Sequence, residues 1–432
     1  MESRASSANI GMYLNPNNHR REQEIALIYV GIDWADKSHT LCIVDDAGNR
    51  LDSFEIEHTR NGFDALHRRI TKHAGSTEGV QVAIETKDSL IVDFLSEMGY
   101  TLHFINPKQT DRFRDRYRMS DSKNDGFDAY VLANALRTDA VLFNALSPLD
   151  EGSLTLRVLT RTRKGLVHRK VAIQNELTTY FKRYFPLATS LLGGIDNAEA
   201  IAFLSLYPTY AQACTASKTR ITAILKRAGV SDKIAERHAL AALEKLKEKQ
   251  PTPSQGVERA YPLAVKSLLR QLSSVLEEIA ALDEEIWEVY ANHPNKDLLE
   301  SLPGIAATLG PVIGSEIGAN IFRYSNVKTL KAYAGSSPVT KQSGKYKEIR
   351  FRHACNPHLR RALHLAAQGA ILSAGWAREL YDRLRSQGKS YGRALRAVAD
   401  QLIEILYAVL SRRMPYDEAY HLRMKATHSP KI

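Results

Sequence analysis

The chain has 432 residues, of which 44% are hydrophobic, and a formal net charge of +11. This length is enough for two or three domains with cores of their own. Three widely separated cysteines, Cys42, Cys214 and Cys355, form no metal-ligand or disulfide pattern, which excludes a disulfide-stapled secreted domain and a cysteine-ligated zinc protein. No apolar run approaches the roughly 18 residues of a membrane span, and residues 1–24 lack the apolar segment of a signal peptide. We therefore expect a soluble cytoplasmic protein without a membrane partner.

The first third of the chain alternates short apolar runs with helical segments. Strands are predicted at residues 26–34, 40–44, 51–56, 80–85 and 100–105, and helices at 62–73, 89–98 and 125–138. An acidic and Gly-containing cluster at residues 45–49 predicts a hairpin between the second and third strands. The predicted order is three antiparallel strands, then helix, strand, helix, strand and helix.

Four acidic residues stand at strand ends or in a helix of this predicted order. Asp33 ends the first strand, Glu85 ends a later strand, and Asp125 and Asp128 are three residues apart, so that they share one face of a helix. Four carboxylates on one patch repel each other unless cations neutralise them, and sites built from oxygen alone suit Mg²⁺ or Mn²⁺. Two ions roughly 3.5 to 4 Å apart activate an attacking oxygen and stabilise a leaving one in phosphodiester transfer. We therefore predict a two-metal site that acts on a nucleic-acid backbone.

Each acid also has an ordinary explanation. Strands commonly end in solvent with an acid, and Asp125 fits the N-cap of a helix. Only the joint placement favours a metal site. With the strand order, it resembles the ribonuclease H-like fold, in its RuvC-like branch with an Asp-Glu-Asp-Asp pattern.

The basic residues are distributed unevenly. Residues 320–432 contain 21 Lys and Arg against 7 Asp and Glu, a charge of +14, whereas residues 1–319 contain 38 against 41, a charge of −3. A smaller basic cluster precedes the helical Asp pair: Lys108, Arg112, Arg114, Arg116 and Arg118. A run of charge is usually a solvated face, but this asymmetry predicts a polyanion partner, and the cluster is placed to hold phosphates beside the acids.

The middle of the chain, residues 146–293, is predicted to be a helical arm. Leucine-rich seams at residues 156–185 and 263–286 predict two long helices in an antiparallel coiled-coil pair. The insert between them, residues 186–253, has helix signals and no chemistry that we identify. Two roles stay open for this region: a bundle that supports the ends of the chain, or a surface for dimerisation.

Residues 294–423 are predicted to form a mostly helical C-terminal domain, and residues 1–24 and 424–432 to be flexible. Pro303 and Gly304 predict a helix-hairpin-helix-like turn whose amides face a phosphate, although Ala306 stands where many such turns have a second Gly. The alternative is a hairpin that only packs helices.

Further short motifs occur along the chain, and their combination and order are specific to one family. In chain order they are Gly31 and Asp33, Glu85, Lys123 with Asp125, Asp128 and Ala129, Pro303 and Gly304, Ala334 with Gly335 and Pro338, Ser343 and Gly344, and Asn356 with Leu359 and Arg360. Over residues 27–416 the chain resembles the insertion-sequence-110 transposases, the DEDD-type recombinases related to the pilin-gene invertase. The resemblance implies an α/β RuvC-like domain at residues 25–145, joined to all-α regions.

The resemblance also implies a mechanism. A serine of the C-terminal domain attacks DNA and forms a covalent phosphoserine intermediate, and Ser343 matches that serine best, with Ser336 and Ser337 as alternatives. The basic residues implied to contact nucleic acid there are Lys341, Lys345, Lys347, Arg350, Arg352, Arg360 and Arg361. The implied partners are donor and target DNA, a structured guide RNA encoded by the element, and further copies of the chain, with the two halves of the site on different protomers.

Three other interpretations compete with this one. A phosphotransferase of the actin and sugar-kinase class also begins with a strand like Gly31 to Asp33, but the Asp125 and Asp128 pair, the missing second Gly-rich segment and the basic C-terminus disfavour it. A noncatalytic nucleic-acid-binding protein would have no need of four acids and Ser343. A RuvC-like endonuclease that hydrolyses DNA without a covalent adduct is the third.

Overall fold

The computed structural model describes residues 27–87, 89–117, 125–143, 145–146, 149–344 and 346–428. The chain divides between residues 148 and 149 into two units. Arg118 and Lys345, both predicted to contact nucleic acid, lie outside the described residues, as do residues 1–24.

The first unit is a mixed sheet with helices on both faces. Its strands are β1 (Ile28–Asp33), β2 (Ser38–Asp45), β3 (Arg50–Glu57), β4 (Val80–Ile84) and β5 (Thr101–Phe104). Its helices are α1 (Arg60–Ala74), α2 (Leu90–Glu97), α3 (Pro107–Tyr117) and α4 (Asp125–Asp139). The strand order is β3-β2-β1-β4-β5, with β1 to β3 antiparallel and β4 and β5 parallel to β1. Apart from α3, this is the order that the sequence predicts.

The alternation of side chains along β1 explains the two layers. Ile28, Val30 and Ile32 pack with α1 and α2 on one face, whereas Tyr29 packs with α4 on the other. Because β1 lies in the centre of the sheet, both faces are covered, and its sequence is a continuous apolar run. Successive odd-numbered residues of β1 therefore point toward α4.

The second unit is almost entirely helical. Its helices are α5 (Glu151–Tyr184), α6 (Ala198–Leu206), α7 (Tyr210–Cys214), α8 (Lys218–Arg227), α9 (Asp232–Leu246), α10 (Gln255–Ala291), α11 (Lys296–Glu300), α12 (Leu309–Ile317), α13 (Val327–Ala334), α14 (Pro357–Ser373), α15 (Gly375–Ser386), α16 (Tyr391–Arg412) and α17 (Glu418–His428). One hairpin interrupts them, formed by β6 (Val339–Ser343) and β7 (Tyr346–Arg350).

The two longest helices, α5 and α10, pack against each other in opposite directions. Leu156 near the start of α5 shares a core with Ile286 near the end of α10, and Leu177 shares another with Leu268. The predicted pair of long helices is therefore present, whereas its supercoiling as a coiled coil stays a prediction. The insert helices α6 to α9 pack around the second of these cores.

The predicted arm and C-terminal domain fall into one unit. The reason is that Leu156, Ile286 and Tyr290 are buried in the same core as helices α12, α14 and α16. Residues 424–428, expected to be flexible, continue α17. No helix among the described residues is long and apolar enough to cross a membrane.

Candidate carboxylate site

Gly31 sets the distance between the central strand and helix α4. A Cβ atom built on Gly31 would lie 1.9 Å from the carbonyl oxygen of Ala129 and 2.6 Å from the amide nitrogen of Ala133. Only glycine therefore lets α4 lie this close to β1. Asp33 is two residues further along the same face of β1, and Asp128 directly precedes Ala129. The close contact at Gly31 thus brings strand and helix carboxylates together.

Three of the four predicted acids converge. Asp33, Asp125 and Asp128 each offer an oxygen that lies within 4.8 Å of the other two. Asp128 is buried, Asp33 is half-buried and Asp125 is exposed, so the cluster opens toward solvent. Asp125 begins α4 and Asp128 lies in its first turn, where the helix dipole favours negative charge.

Glu85 lies at the neighbouring strand end. Ile32 of β1 pairs with Ile84 of the parallel strand β4, so Asp33 and Glu85 are the next residues of two adjacent strands. Glu85 is half-buried and does not belong to the group of three whose oxygens approach one another. The sheet thus places the fourth acid beside the cluster without bringing its carboxylate into it.

Arg114 has a partner that the sequence did not indicate. Its Nε donates to Oδ1 of Asp128 at 2.8 Å, and its Nη1 donates to Oδ1 of Asp111 at 2.9 Å. Burial lowers the pKa of Arg114, but the hydrogen bond and charge of Asp128 outweigh burial and raise it overall. Arg114, predicted as a phosphate contact, is thus the counter-charge of a candidate metal ligand, and contact with phosphate stays a prediction. The two residues are 14 positions apart on different helices, so no local spacing indicates that they pair.

The remaining cations of the α3 cluster face solvent. Lys108 and Arg112 are exposed, and Arg116 pairs with Asp139 at 3.5 Å. Their predicted contact with nucleic acid is compatible with this exposure.

His39 supports the segment that follows Asp33. The amide of Ala35 donates to Nδ1 of His39 at 3.3 Å, and Nε2 of His39 lies 2.7 Å from Nδ1 of His58. Burial, together with the charge of His58, lowers the pKa of His39 to about 4. A neutral His39 therefore accepts a hydrogen bond from the backbone next to Asp33. The sequence alone shows only that a polar residue interrupts an apolar strand, and does not indicate this role.

The candidate nucleophile lies at the end of the β6–β7 hairpin. Ser343 is the last residue of β6, pairs with Tyr346, and is exposed. Gly344 follows with φ of 55°, a left-handed conformation suited to the tight turn. Ser336, by contrast, donates its hydroxyl to Oδ1 of Asp400 at 2.8 Å. Of these two serines, Ser343 is the one whose side chain faces solvent.

Several basic residues near the hairpin have structural partners. Arg352 donates to the carbonyl of Ser337 at 3.0 Å, and Arg350 pairs with Glu348 at 2.7 Å. Arg360 donates to the carbonyl of Arg352 and lies 4.5 Å from the ring centre of Phe351. Arg352 and Arg360 thus tie the base of the hairpin to α14. Lys347 is exposed, and Lys341 lies in β6.

Gly304 packs against α14. Its φ is 76°, and a Cβ added to it would lie 2.0 Å from the carbonyl oxygen of Ala366 and 2.4 Å from the amide nitrogen of Ala370. Glycine is therefore needed for close packing of this turn against α14. Helix packing is the role that the alternative interpretation of the hairpin predicts. A phosphate contact near Gly304 stays a prediction.

A mixed sheet that ends its central strand in a carboxylate cluster is compatible with a DEDD-type nuclease-like domain, and comparison with known proteins agrees. A DEDD-type transposase family model matches residues 30–186, and a model of the IS116/IS110/IS902 transposase family matches residues 296–382.

Relatives in Streptomyces and Mycobacterium match nearly the whole chain. The chain is 30% identical over 397 residues to the Streptomyces coelicolor protein named as the mini-circle transposase for IS117, which covers 90% of this chain and 95% of that protein. It is 28% identical to an IS116 protein of Streptomyces clavuligerus, covering 89% and 94%. It is 24% identical to an IS900 protein of Mycobacterium paratuberculosis, covering 91% and 98%. The chain belongs to the IS110-type family of transposases, so the predicted family is confirmed.

Proposed function

We propose that this transposase cuts and rejoins DNA through a covalent serine intermediate that divalent metal ions assist. The observation that carries the proposal is the convergence of Asp33, Asp125 and Asp128 within 4.8 Å, from a strand end and a helix start. The strand order and the placement of the acids support a ribonuclease H-like, RuvC-like fold for the first unit.

The donor set fits Mg²⁺, or Mn²⁺ in its place. All three converging side chains offer carboxylate oxygens, the ligands that these ions prefer, and the cluster is open to solvent on the side of Asp125. Asp33, Asp125 and Asp128 would hold the ions, with Glu85 at the adjacent strand end as the fourth ligand. A bound ion pair would favour loss of the proton from the attacking hydroxyl and stabilise the leaving oxygen. Arg114 orients Asp128 through its hydrogen bond.

Ser343 would supply the attacking hydroxyl. Its Oγ forms a bond to the phosphorus of a DNA phosphodiester while the bond from phosphorus to one strand breaks. Ser343 loses its proton, and the departing strand oxygen gains one. In rejoining, the hydroxyl of another strand attacks the phosphoserine and Ser343 regains a proton, so no water is consumed. Exposure of Ser343 at a hairpin end supports this role.

The partners follow from the family resemblance and the charge. Donor and target DNA are the substrates, and the +14 charge of residues 320–432 supports binding to polyanions. We include a structured guide RNA, which would recognise the DNA sequence in place of the protein. We also include a homo-oligomer in which the acids of one protomer act together with the serine of another. Sequencing of the RNA that copurifies with the protein tests the guide. Recovery of a single species encoded beside the element is expected, and recovery of unrelated host RNA contradicts it.

Strand cleavage by aspartate variants tests the metal site. Asp33→Asn removes a candidate ligand without changing its size, and we expect cleavage to fall at least about 100-fold because electrostatic stabilisation of the transferring phosphate is lost. Asp36→Asn, an exposed acid three residues away, is the matched control and should cleave normally. Retained cleavage by Asp33→Asn, with the same dependence on Mg²⁺, would refute the assignment.

A further inference from the structure

A large cavity lies within the second unit, and Ser343 is not among the residues that line it. Its volume is about 730 Å³, and four elements line it: α5, α10, the turn that enters α12, and α14. Sites for small ligands commonly have volumes of about 300 to 1,000 Å³. Of the described residues predicted to contact nucleic acid, only Arg361 lines this cavity.

The wall of the cavity is largely apolar and includes an accessible aromatic ring. Val167, Ile286 and Val312 contribute aliphatic surface. Trp287 and Leu365 line it while 41% and 42% exposed, so large apolar side chains face the hollow without being covered. An indole that is open on one side can stack on a planar ligand.

The charged groups of the cavity have a positive excess. Arg163, Lys164 and Arg361 give +3 and Asp283 gives −1, which leaves +2 with the histidines neutral. Arg163 and Asp283 form a two-pronged ion pair, with Nη2 2.9 Å from Oδ2. Among the described residues, Lys164 and Arg361 have no carboxylate partner. The uncompensated charge of the cavity therefore comes from these two side chains.

One of the two histidines that line the cavity, His358, lies near the same positive charges. Burial lowers the pKa of His358, and the nearby positive charges of Lys164 and Arg161 lower it further. Glu284, Glu285 and Glu288 of α10 are exposed but do not line the cavity. The lining of the cavity therefore contains one carboxylate, that of Asp283.

We propose that this cavity binds an unpaired nucleotide of a DNA strand, with its base stacked on Trp287 and its phosphates held by Lys164 and Arg361. An apolar peptide would leave the two cations without partners, and an intact duplex keeps its bases inside. A single-stranded nucleotide supplies a flat ring and an anion together. The proposal depends on DNA as the substrate of the family and not on the metal ions or the serine.

Intrinsic fluorescence tests the stacking directly. The chain has three tryptophans, and Trp376 is only 1% exposed. In a Trp34→Phe background, Trp287 is therefore the accessible indole, and oligothymidylate in EDTA should quench it in a saturable way. Trp287→Ala should weaken the binding of oligothymidylate, measured by anisotropy, about tenfold, and Trp287→Phe should restore most of it.

Salt dependence tests the phosphate contacts. Lys164→Ala with Arg361→Ala should weaken binding and make the slope of log K against log salt shallower by about 1.4, which is about 0.7 per phosphate on a single strand. Lys266→Ala with Arg270→Ala is the matched control, because both residues are exposed on α10 outside the cavity. Its slope should equal that of the parent protein.

Four results would overturn the proposal: bound DNA that leaves Trp287 fluorescence unchanged, equal losses in the two double variants, tighter binding of duplex or of oligouridylate than of oligothymidylate, or self-association abolished by the Lys164 and Arg361 variants. Tighter oligouridylate binding would assign the cavity to RNA, and lost self-association to a second copy of the chain. Binding of oligothymidylate in EDTA needs neither bound metal ions nor a covalent adduct, so failure of the catalytic proposal is separable from failure of this one.

Discussion

At the scale of single residues, the pairing of Arg114 with Asp128 determines the charge of the carboxylate cluster. The carboxylate side chain is 5% exposed and the arginine side chain 26% exposed, so most of the pair is shielded from water. A shielded carboxylate that loses its only described cationic partner is left uncompensated. The ion pair between Arg114 and Asp128 should therefore affect both the stability of the protein and its binding of metal ions.

Removal of Arg114 should destabilise the protein and strengthen its response to metal ions. Arg114→Ala leaves the buried carboxylate of Asp128 without its donor, which costs about 1 to 3 kcal/mol. Because a cation can then compensate Asp128, Mn²⁺ should raise the melting temperature more in the variant than in the parent protein. The control is Arg116→Ala, whose partner Asp139 lies outside the cluster. Equal Mn²⁺ shifts in all three proteins would contradict this role for Arg114.

The spacing of the helical acids predicts that they share one helix face, whereas their role as metal ligands stays a prediction. Asp125 and Asp128 share a face because three residues separate them, and Asp33 joins them because it ends the strand that α4 covers. The partner of Arg114 was not predictable, because its contact with Asp128 depends on how α3 packs against α4. Likewise, the choice of Ser343 over Ser336 gained its physical support only from the hydrogen bond between Ser336 and Asp400.

At the scale of elements, the contact between β1 and α4 positions the site. Gly31→Ala would place a methyl group 1.9 Å from the carbonyl oxygen of Ala129, so α4 must move away. Overpacking of this kind costs about 1 to 3 kcal/mol. Because Asp128 would move with the helix and Asp33 would not, cleavage should fall together with stability.

Gly165→Ala is a control that should change the free energy of unfolding in the opposite direction. Gly165 lies inside α5 with no atom within 4 Å of an added Cβ, so alanine should stabilise the helix by up to about 1 kcal/mol. Urea unfolding and strand cleavage should be measured for both variants. A Gly31→Ala protein with parental stability and cleavage would show that the close contact does not set the position of the acids.

Elements with an apolar pattern were predictable, and those without one were not. The five strands of the first unit appear as apolar runs because their side chains are buried. Helix α3 was missed because Thr110 is its one buried residue, which leaves no helical periodicity. The β6–β7 hairpin was missed because most of its described side chains are exposed, so that its sequence shows no alternation.

At the scale of the whole molecule, a buried carboxylate joins three helices of the second unit. Glu316 of α12 is fully buried and accepts from Arg161 of α5 at 2.9 and 3.0 Å. Asn356, the N-cap of α14, donates to it at 2.7 Å and accepts from the amides of His358 and Leu359. This network explains why the arm and the C-terminal helices form one unit, and gives the Asn356 marker a structural role.

Loss of Glu316 should therefore destabilise the second unit strongly. Glu316→Ala removes the carboxylate that pairs with Arg157, whose side chain is only 12% exposed, and breaking a buried pair in this way costs about 3 to 5 kcal/mol. Glu300→Ala removes only an exposed pair with Lys296 and should cost less than about 1 kcal/mol. Urea midpoints measure the difference, and comparable values for the two variants would contradict the network.

The pH dependence of stability follows from the same group. Burial raises the pKa of Glu316, but hydrogen bonds from Arg161 and Asn356 outweigh burial, so that its pKa in the folded protein lies below the ordinary value. The stability contributed by Glu316 is therefore present above the ordinary carboxyl pKa and is lost as the pH falls through the lower, folded value. The Glu316→Ala protein should lack this acid-sensitive part of the stability.

The division of the chain into units was only partly predictable. The sequence predicts the boundary after the first unit because the apolar strand pattern stops there. It does not predict that Leu156 and Tyr290 enter the C-terminal core, because helical seams do not identify their partners. The cavity beside Trp287 was not predictable for the same reason, because residues from four separate elements line it.

The central claim, that metal-held carboxylates assist a serine nucleophile, is tested most directly by mapping the covalent protein-DNA adduct. Wild-type protein, Ser343→Ala and Ser336→Ala should be incubated with DNA and Mg²⁺, denatured, digested and analysed by mass spectrometry for a nucleotide-linked serine. We predict an adduct on Ser343 in the wild-type and Ser336→Ala proteins, and none in Ser343→Ala. An adduct on another residue, or strand cleavage that proceeds in Ser343→Ala with water as the nucleophile, would contradict the account.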